Sequence, residues 1–246
     1  MTKRNSKTVS QRGTPSSSDP TTYENERYDV VKVLVVRSSD IAKMLSTPVE
    51  GDEIYAKFGK IFEEEYTLAN HIYMWRGYSQ IPKLFIRKVA SRLRSEGIYS
   101  KELITKAFRA YSALLKAGVV GEKPQTVFRL YSDSLFVAAQ PDLYNEFENV
   151  YYEFKLYPIN DYARTQAKIF AWVLETPIIL VGLREETNGY LVAEKEVLSP
   201  PDSLNVGFDE LKMIAKPELF CSKLMKPLKY CSNEDYEDLL SIDYLY

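Results

Sequence analysis

Two carboxylates and a lysine carry the chemistry that this chain can do. Asp142 follows Pro141, and Glu153-Phe154-Lys155 lies eleven residues further on. Val150-Tyr-Tyr-Glu-Phe-Lys-Leu-Tyr157 is aromatic and β-branched and stops at Pro158, which predicts a strand. Alternation along a strand puts Tyr151, Glu153, Lys155 and Tyr157 on one face, with Glu153 and Lys155 about 7 Å apart at Cα. Val150, Tyr152, Phe154 and Leu156 take the other face, which is suited to a core. An isolated Glu-x-Lys is most often a same-face ion pair on a half-solvated sheet. The preceding segment adds a second carboxylate. Ser134 to Leu143 reads as an apolar strand that ends on Asp142, and Tyr144 to Asn149 is turn-like. A hairpin would bring Asp142 to Glu153 at one sheet end. Converging carboxylates repel and need a compensating charge, which a hard divalent cation such as Mg²⁺ or Mn²⁺ supplies to an oxygen-rich site.

The elements that must hold these residues can be read on either side. Asp161 to Glu175 predicts a helix, with Asp161 as N-cap and Ala163, Ala167, Phe170 and Leu174 as its buried stripe. Gln166 and Phe170 are four apart, on adjacent parts of one face. Pro177 to Leu183 predicts a buried strand. A strand, a helix and a further apolar strand is the pattern of a crossover onto a parallel neighbour. Tyr190 to Val197 pairs back across Asn188-Gly189. Upstream, Tyr28 to Val36 reads as a strand, Ser38-Ser39-Asp40 as a helix N-cap and Ile41 to Leu45 as a short helix. Asp52 to about Trp75 reads as a long amphipathic helix with Ile54, Phe58, Ile61, Phe62, Leu68, Ala69 and Ile72 on its apolar stripe. Gly59 inside it predicts close approach by another backbone, since glycine there costs about 1 kcal/mol against alanine. Glu63, Glu64 and Glu65 point about 100° apart. Glu65 falls near the middle of the stripe and Glu63 on its flank, and both stay open as partners of a site at the sheet edge.

Asp142, Glu153-Phe-Lys155, Gln166-x-x-x-Phe170 and Gly59-x-x-x-Glu63 together resemble the PD-(D/E)xK nuclease superfamily, and within it the RecB-like and lambda-type exonuclease group. The resemblance covers roughly residues 37 to 184, with Phe170 where the group has tyrosine. It implies a restriction-endonuclease-like α/β fold, a central mixed sheet of about five strands flanked by helices. It also implies a metal-dependent deoxyribonuclease, exonuclease-like, working in repair, recombination or replication. Asp142, Glu153, Glu63 (Glu65 its competitor) and the backbone carbonyl of Phe154 would then bind Mg²⁺ or Mn²⁺. Lys155 would orient or deprotonate the attacking water, Gln166 would position it or Lys155, and the products would be a 5′-phosphate and a 3′-hydroxyl. Thr47-Pro48 stands where many members have Cys-Pro, and the other cysteines of an iron–sulfur cluster are missing, so no cluster is expected. A non-catalytic DNA-binding module on the same fold is the competing reading.

The rest of the chain sets bounds. Its 246 residues suffice for one domain, residues 25–246, behind a Ser-, Thr- and Pro-rich basic segment over 1–24 that is expected to be disordered. Net charge is −2, yet Gln80 to Gly118 carries nine basic residues against two acidic. That stretch reads as two helices, an insertion whose Arg87, Lys88 and Arg92 would face DNA, and Arg164 could reach a phosphate. Two cysteines, Cys221 and Cys231, exclude a disulfide framework and predict a cytoplasmic protein. No apolar run is long enough to cross a membrane, and no secretion signal is visible. Nineteen tyrosines beside a single histidine, His71, fit a thermophilic archaeal or viral source. No phosphate loop is present, so a helicase or recombination partner would be a separate chain. A homo-oligomer is left open. Residues from Phe208 onward read as short helices, and Ser232 to Tyr246 is acidic with no basic residue.

Overall fold

The computed structural model describes residues 30–47, 52–76, 81–132, 134–221 and 226–227. The basic segment over 1–24, Cys231 and the acidic stretch from Ser232 lie outside them. Strand β1 (Val30–Arg37) leads into α1 (Ser38–Leu45), followed by α2 (Glu53–Arg76), α3 (Ile81–Ser95) and α4 (Lys101–Lys116). Strands β2 (Val127–Ser132), β3 (Leu135–Ala139), β4 (Leu143–Asn145) and β5 (Val150–Lys155) precede α5 (Asp161–Leu174). The chain continues with β6 (Ile178–Glu185), β7 (Leu191–Leu198), α6 (Phe208–Ile214), β8 (Lys216–Cys221) and β9 (Lys226–Pro227).

The fold is mixed α/β, but its strands form two sheets rather than one. A five-stranded sheet has the order β2-β3-β1-β8-β9, and a four-stranded sheet has the order β4-β5-β6-β7. Strands β1 and β3 are parallel, as are β5 and β6, so both sheets are mixed. The chain changes sheets between β3 and β4, over Gln140-Pro141-Asp142. Pro141 has no N–H to donate to a ladder, so the pairing of β3 stops there and Asp142 falls at the junction.

Among the described residues, helices cover both faces of the four-stranded sheet and one face of the five-stranded sheet. Tyr152, Phe154, Val181 and Leu183 of the four-stranded sheet pack on Phe62 and Tyr66 of α2, Phe85 of α3 and Tyr111 and Leu114 of α4. The basic stretch predicted as an insertion is therefore part of a three-helix layer sharing this core. Its alternation is amphipathic: Phe85, Val89 and Leu93 are buried while Arg87, Lys88 and Arg94 are exposed. Helix α5 lies against strands of both sheets, with Ala163, Ala167, Phe170 and Trp172 buried among Val137, Ala139, Ile178 and Leu180. That double contact explains why Ile169, Ala171 and Val173 are also buried, beyond the single stripe read from spacing.

Four sequence expectations need correction. The stretch Lys216–Cys221 is a strand, antiparallel to β1, where helix was expected. The second neighbour of β8, β9, pairs only with Phe220 and Cys221, so Pro217 sits where a missing donor costs little. Helix α5 is capped by Asn160, whose Oδ1 accepts from the Ala163 N–H at 2.9 Å, leaving Asp161 in the first turn. Helix α1 has Arg37 at its N-cap with no side-chain bond, because Ser38 Oγ donates instead to the Ala138 carbonyl at 2.7 Å. Finally, a Cβ on Gly59 would meet nothing within 4 Å, so this glycine marks open space and not close packing. On α2, Phe58, Ile61, Phe62 and Ala69 are buried as expected, with Tyr66 added, whereas Ile54 and Leu68 are exposed.

Candidate active site

The turn between β4 and β5 fixes the register that brings the acids together. Asn145 Oδ1 accepts from the N–H groups of Phe147 and Glu148, and Asn149 closes the turn at φ 53°, a left-handed conformation that asparagine tolerates. Leu143 then pairs with Tyr152, so Asp142 meets Glu153 one step further along. Asp142 Oδ2 accepts from the Phe154 N–H at 2.8 Å. Lys155 Nζ donates to Glu153 Oε1 at 2.5 Å. Burial is deep: Asp142 is 6% exposed and Glu153 2%.

Glu63 and not Glu65 is the α2 acid beside this pair. The negative charges of Glu153 and Glu63 both act on Asp142. Glu65 instead lies under α3, where Arg92 Nη1 donates to it at 3.3 Å and Arg92 Nη2 meets Glu64 at 2.5 Å. The flank position of Glu63 thus reaches the sheet edge, while the stripe position of Glu65 turns into the helical layer.

Lys123 is a fifth member that the sequence reading missed. Gly121 lets its segment lie directly on β4: a Cβ there would collide with the Tyr144 carbonyl. The Glu122 N–H donates to the Tyr144 carbonyl at 2.9 Å, and the Tyr144 N–H returns the bond at 2.7 Å. This bridge delivers Lys123, whose Nζ donates to Glu63 Oε1 at 2.5 Å. A loop lysine between Glu122 and Pro124 gives no local signal, since only the non-local bridge places it.

The electrostatics follow from two buried acids, Asp142 and Glu153, with Lys155 beside them and the partly exposed Glu63–Lys123 pair at the margin. Burial, then Glu153 and Glu63, push the Asp142 carboxyl well above its usual range, against the opposing pull of Lys155 and Lys123. Burial works to lower the Lys155 ammonium, but Glu153 and Asp142 outweigh it and raise it. Lys123 is likewise raised, burial being overcome by Asp142, Glu63 and Glu153. Both lysines are therefore cationic at neutral pH.

The donors fit a hard cation in part. Asp142 and Glu153 present oxygens, and Glu153 Oε2 is buried with no hydrogen-bond partner. Among the described residues no three His, Cys, Asp or Glu side chains are gathered closely enough to hold a metal, Glu63 being engaged by Lys123.

The remaining predicted residues are spread out. Gln166 is buried with Oε1 unpartnered, and with Phe170 it lines a pocket of about 300 Å³ bounded by Arg37, Ser38, Gln140 and Glu218. Lys155 and Phe154 border a different pocket, of about 480 Å³, beside α2. Arg164 is paired with Glu196 at 2.9 Å and with Asp161 at 3.4 Å. Arg92 is held by Glu64 and Glu65, leaving Arg87 and Lys88 exposed on α3. His71 lies apart, 3.0 Å from Glu122.

Compared with protein-family models, curated proteins and solved structures, the chain matches none. The reading of this cluster therefore rests on its own residues. Among the described residues no helix is long and apolar enough to cross a membrane.

Proposed function

We propose that the chain is a metal-dependent deoxyribonuclease with a restriction-endonuclease-like core, resembling the RecB-like and lambda-type exonuclease group. The observation that carries this reading is the meeting of Asp142, Glu153 and Lys155 at one buried hairpin end. Charged groups in such a place are costly for stability and are retained where they serve chemistry. Asp142, Glu153 and the Phe154 carbonyl would hold Mg²⁺ or Mn²⁺, joined by Glu63 once it leaves Lys123. The bound ion would supply a water of lowered pKa and stabilise charge developing on the phosphate.

The chain's own residues divide the remaining work. Lys155, raised by Glu153 and Asp142, would orient or deprotonate the water and neutralise the phosphate. Lys123 holds Glu63 in reserve and offsets the two buried acids. Exposed Arg87 and Lys88 give the three-helix layer a cationic surface for DNA phosphates. Gln166, with Oε1 free, serves as a positioning residue from α5.

The test is hydrolysis of end-labelled DNA with Mg²⁺ or Mn²⁺ by wild type, Asp142→Ala and Lys155→Ala. The expected result is cleavage that requires metal and is lost about 10²-fold or more in both variants. The ladder of products separates exonuclease from endonuclease. Calorimetry with Mn²⁺ adds an independent readout: the raised Asp142 carboxyl predicts proton release on binding, and affinity that climbs with pH.

A second reading, a DNA-binding module without catalysis, is favoured by one observation. The described residues gather no three-donor metal group. Salt-sensitive DNA binding without cleavage in any metal would establish it.

A further inference from the structure

The 480 Å³ pocket beside α2 joins the candidate site to the basic helices. Its cationic lining is Lys60, Lys106 and Lys155, against the single carboxylate of Glu63. Lys155 belongs to the acid cluster and Lys106 to α4, so the pocket spans the ground between them. Two tyrosines from separate elements also line it: Tyr55 from the first turn of α2 and Tyr157 just beyond β5. Tyr55 is 46% exposed and Tyr157 36%, so both rings keep free surface beside the aromatic core. Lys106 Nζ stands 5.3 Å over the Tyr55 ring, which links that ring to the basic helix. Phe58, Phe154 and Leu156 add apolar surface, and Gly59 leaves room where any side chain would intrude.

Apolar and aromatic lining with ammonium groups at the margin suits a flat base attached to phosphates. The volume is in the range of about 300–1,000 Å³ for small-ligand pockets. Bases inside a duplex face each other and cannot offer a ring face to a tyrosine, whereas a single strand can. We infer that this pocket receives the base of an unpaired nucleotide between Tyr55 and Lys155, so that the substrate enters as single-stranded DNA. The inference rests on reading the adjoining cluster as a DNA-processing site, and it adds the strand form that the cluster alone does not specify.

The experiment measures binding in EDTA, where cleavage plays no part. Oligonucleotides carrying one 2-aminopurine are titrated as single strand and as duplex, by anisotropy and by fluorescence quenching. Wild type is expected to prefer the single strand and to quench the probe. Tyr55→Ala should weaken single-strand binding about 5- to 100-fold, the worth of one base–aromatic stack, with little change for duplex. Tyr55→Trp should restore it. Gly59→Met should fill the pocket and weaken single-strand binding while leaving the melting temperature unchanged or higher. Tyr190→Ala, an exposed tyrosine on another part of the molecule, should change nothing.

Equal losses for both DNA forms in Tyr55→Ala, or a wild type that binds duplex as tightly as single strand, would overturn the inference. Single-strand binding with quenching but no cleavage in any metal would support it and remove the nuclease reading. Metal-dependent duplex cleavage without quenching would do the reverse.

Discussion

Phe154 and Glu153 are neighbours on β5 and are almost equally withdrawn from water, yet the two faces of that strand do opposite things. Phe154 stacks edge-on against Phe62 at 6.1 Å and Tyr66 at 5.3 Å, within an aromatic group that includes Phe85 and Tyr111. Glu153 meets Lys155 and Asp142, and keeps one oxygen without a partner. One face gains stability from burial. The other is buried at a cost, and the cost is held down by charge pairing. A strand with both faces covered allows this, because period-two alternation keeps apolar and ionic side chains apart over a single residue step.

The largest effect is expected on the aromatic face. Phe154→Ala should cost about 3–5 kcal/mol in urea unfolding, a large share of a typical domain's stability. A cost under about 1 kcal/mol would mean that the helical layer does not depend on this strand. On the ionic face, Lys155→Met leaves Glu153 buried without its cation, and a loss of about 3 kcal/mol is expected. Adding Glu153→Gln should recover part of it, and a double-mutant cycle gives the coupling. The sign with pH follows from the raised Lys155 ammonium. Its contribution is full below the unfolded lysine value of about 10.4 and is lost as pH rises through the folded one.

Asp142→Asn should raise stability where Lys155→Met lowers it. The Asp142 carboxyl is raised in the folded protein, so its favourable contribution is present below about pH 3.9 and is lost as pH climbs through the folded value. Without divalent metal at neutral pH the Asn variant should therefore melt higher than wild type, and the gap should close on acidification. With Mn²⁺ the order should reverse, since only wild type gains from binding. A variant that melts lower at neutral pH in EDTA would show that Asp142 stabilises the hairpin, contrary to the contrast drawn between the two faces.

The smallest stability effect belongs to Lys123→Met. Its pair with Glu63 is about one-third exposed on each side, so a loss of only about 0.2–1 kcal/mol is expected. Its electrostatic effect should be easier to see. Removing a cation that lowers the Asp142 carboxyl should shift the pH midpoint of Mn²⁺ affinity upward.

Much of the site was legible because it is local. The alternation of β5, the meeting of Asp142 with Glu153 and the i,i+4 pairing of Gln166 with Phe170 follow from spacing, but the single strand expected from Ser134 to Leu143 is divided into β3 and β4 of different sheets, and Tyr144 and Asn145 belong to β4 and not to the turn. The limits of α2 and β7 were also close to those read from periodicity and punctuation. The choice between Glu63 and Glu65 was not legible. A helical wheel gives the angle of each side chain but not the distance from each angle to a sheet edge. Nor could it be seen that Arg92 and Arg164 are tied to carboxylates, since their partners come from other elements or other helix turns.

By itself the sequence determined which segments alternate, which turn, and which residues share a face, because these depend on neighbours a few positions away. The tertiary structure decided the rest. It divided the strands between two sheets, with Pro141 ending one ladder and Asp142 at the change of sheet. It made α3 and α4 a core layer instead of an appendage, and it made Lys216–Cys221 a strand by offering β1 as partner. It carried Lys123 to the acids across the Gly121–Tyr144 contact. The physical reason is common to all four. Pairing and charge compensation between distant segments depend on which surfaces come together, and no spacing along the chain encodes that.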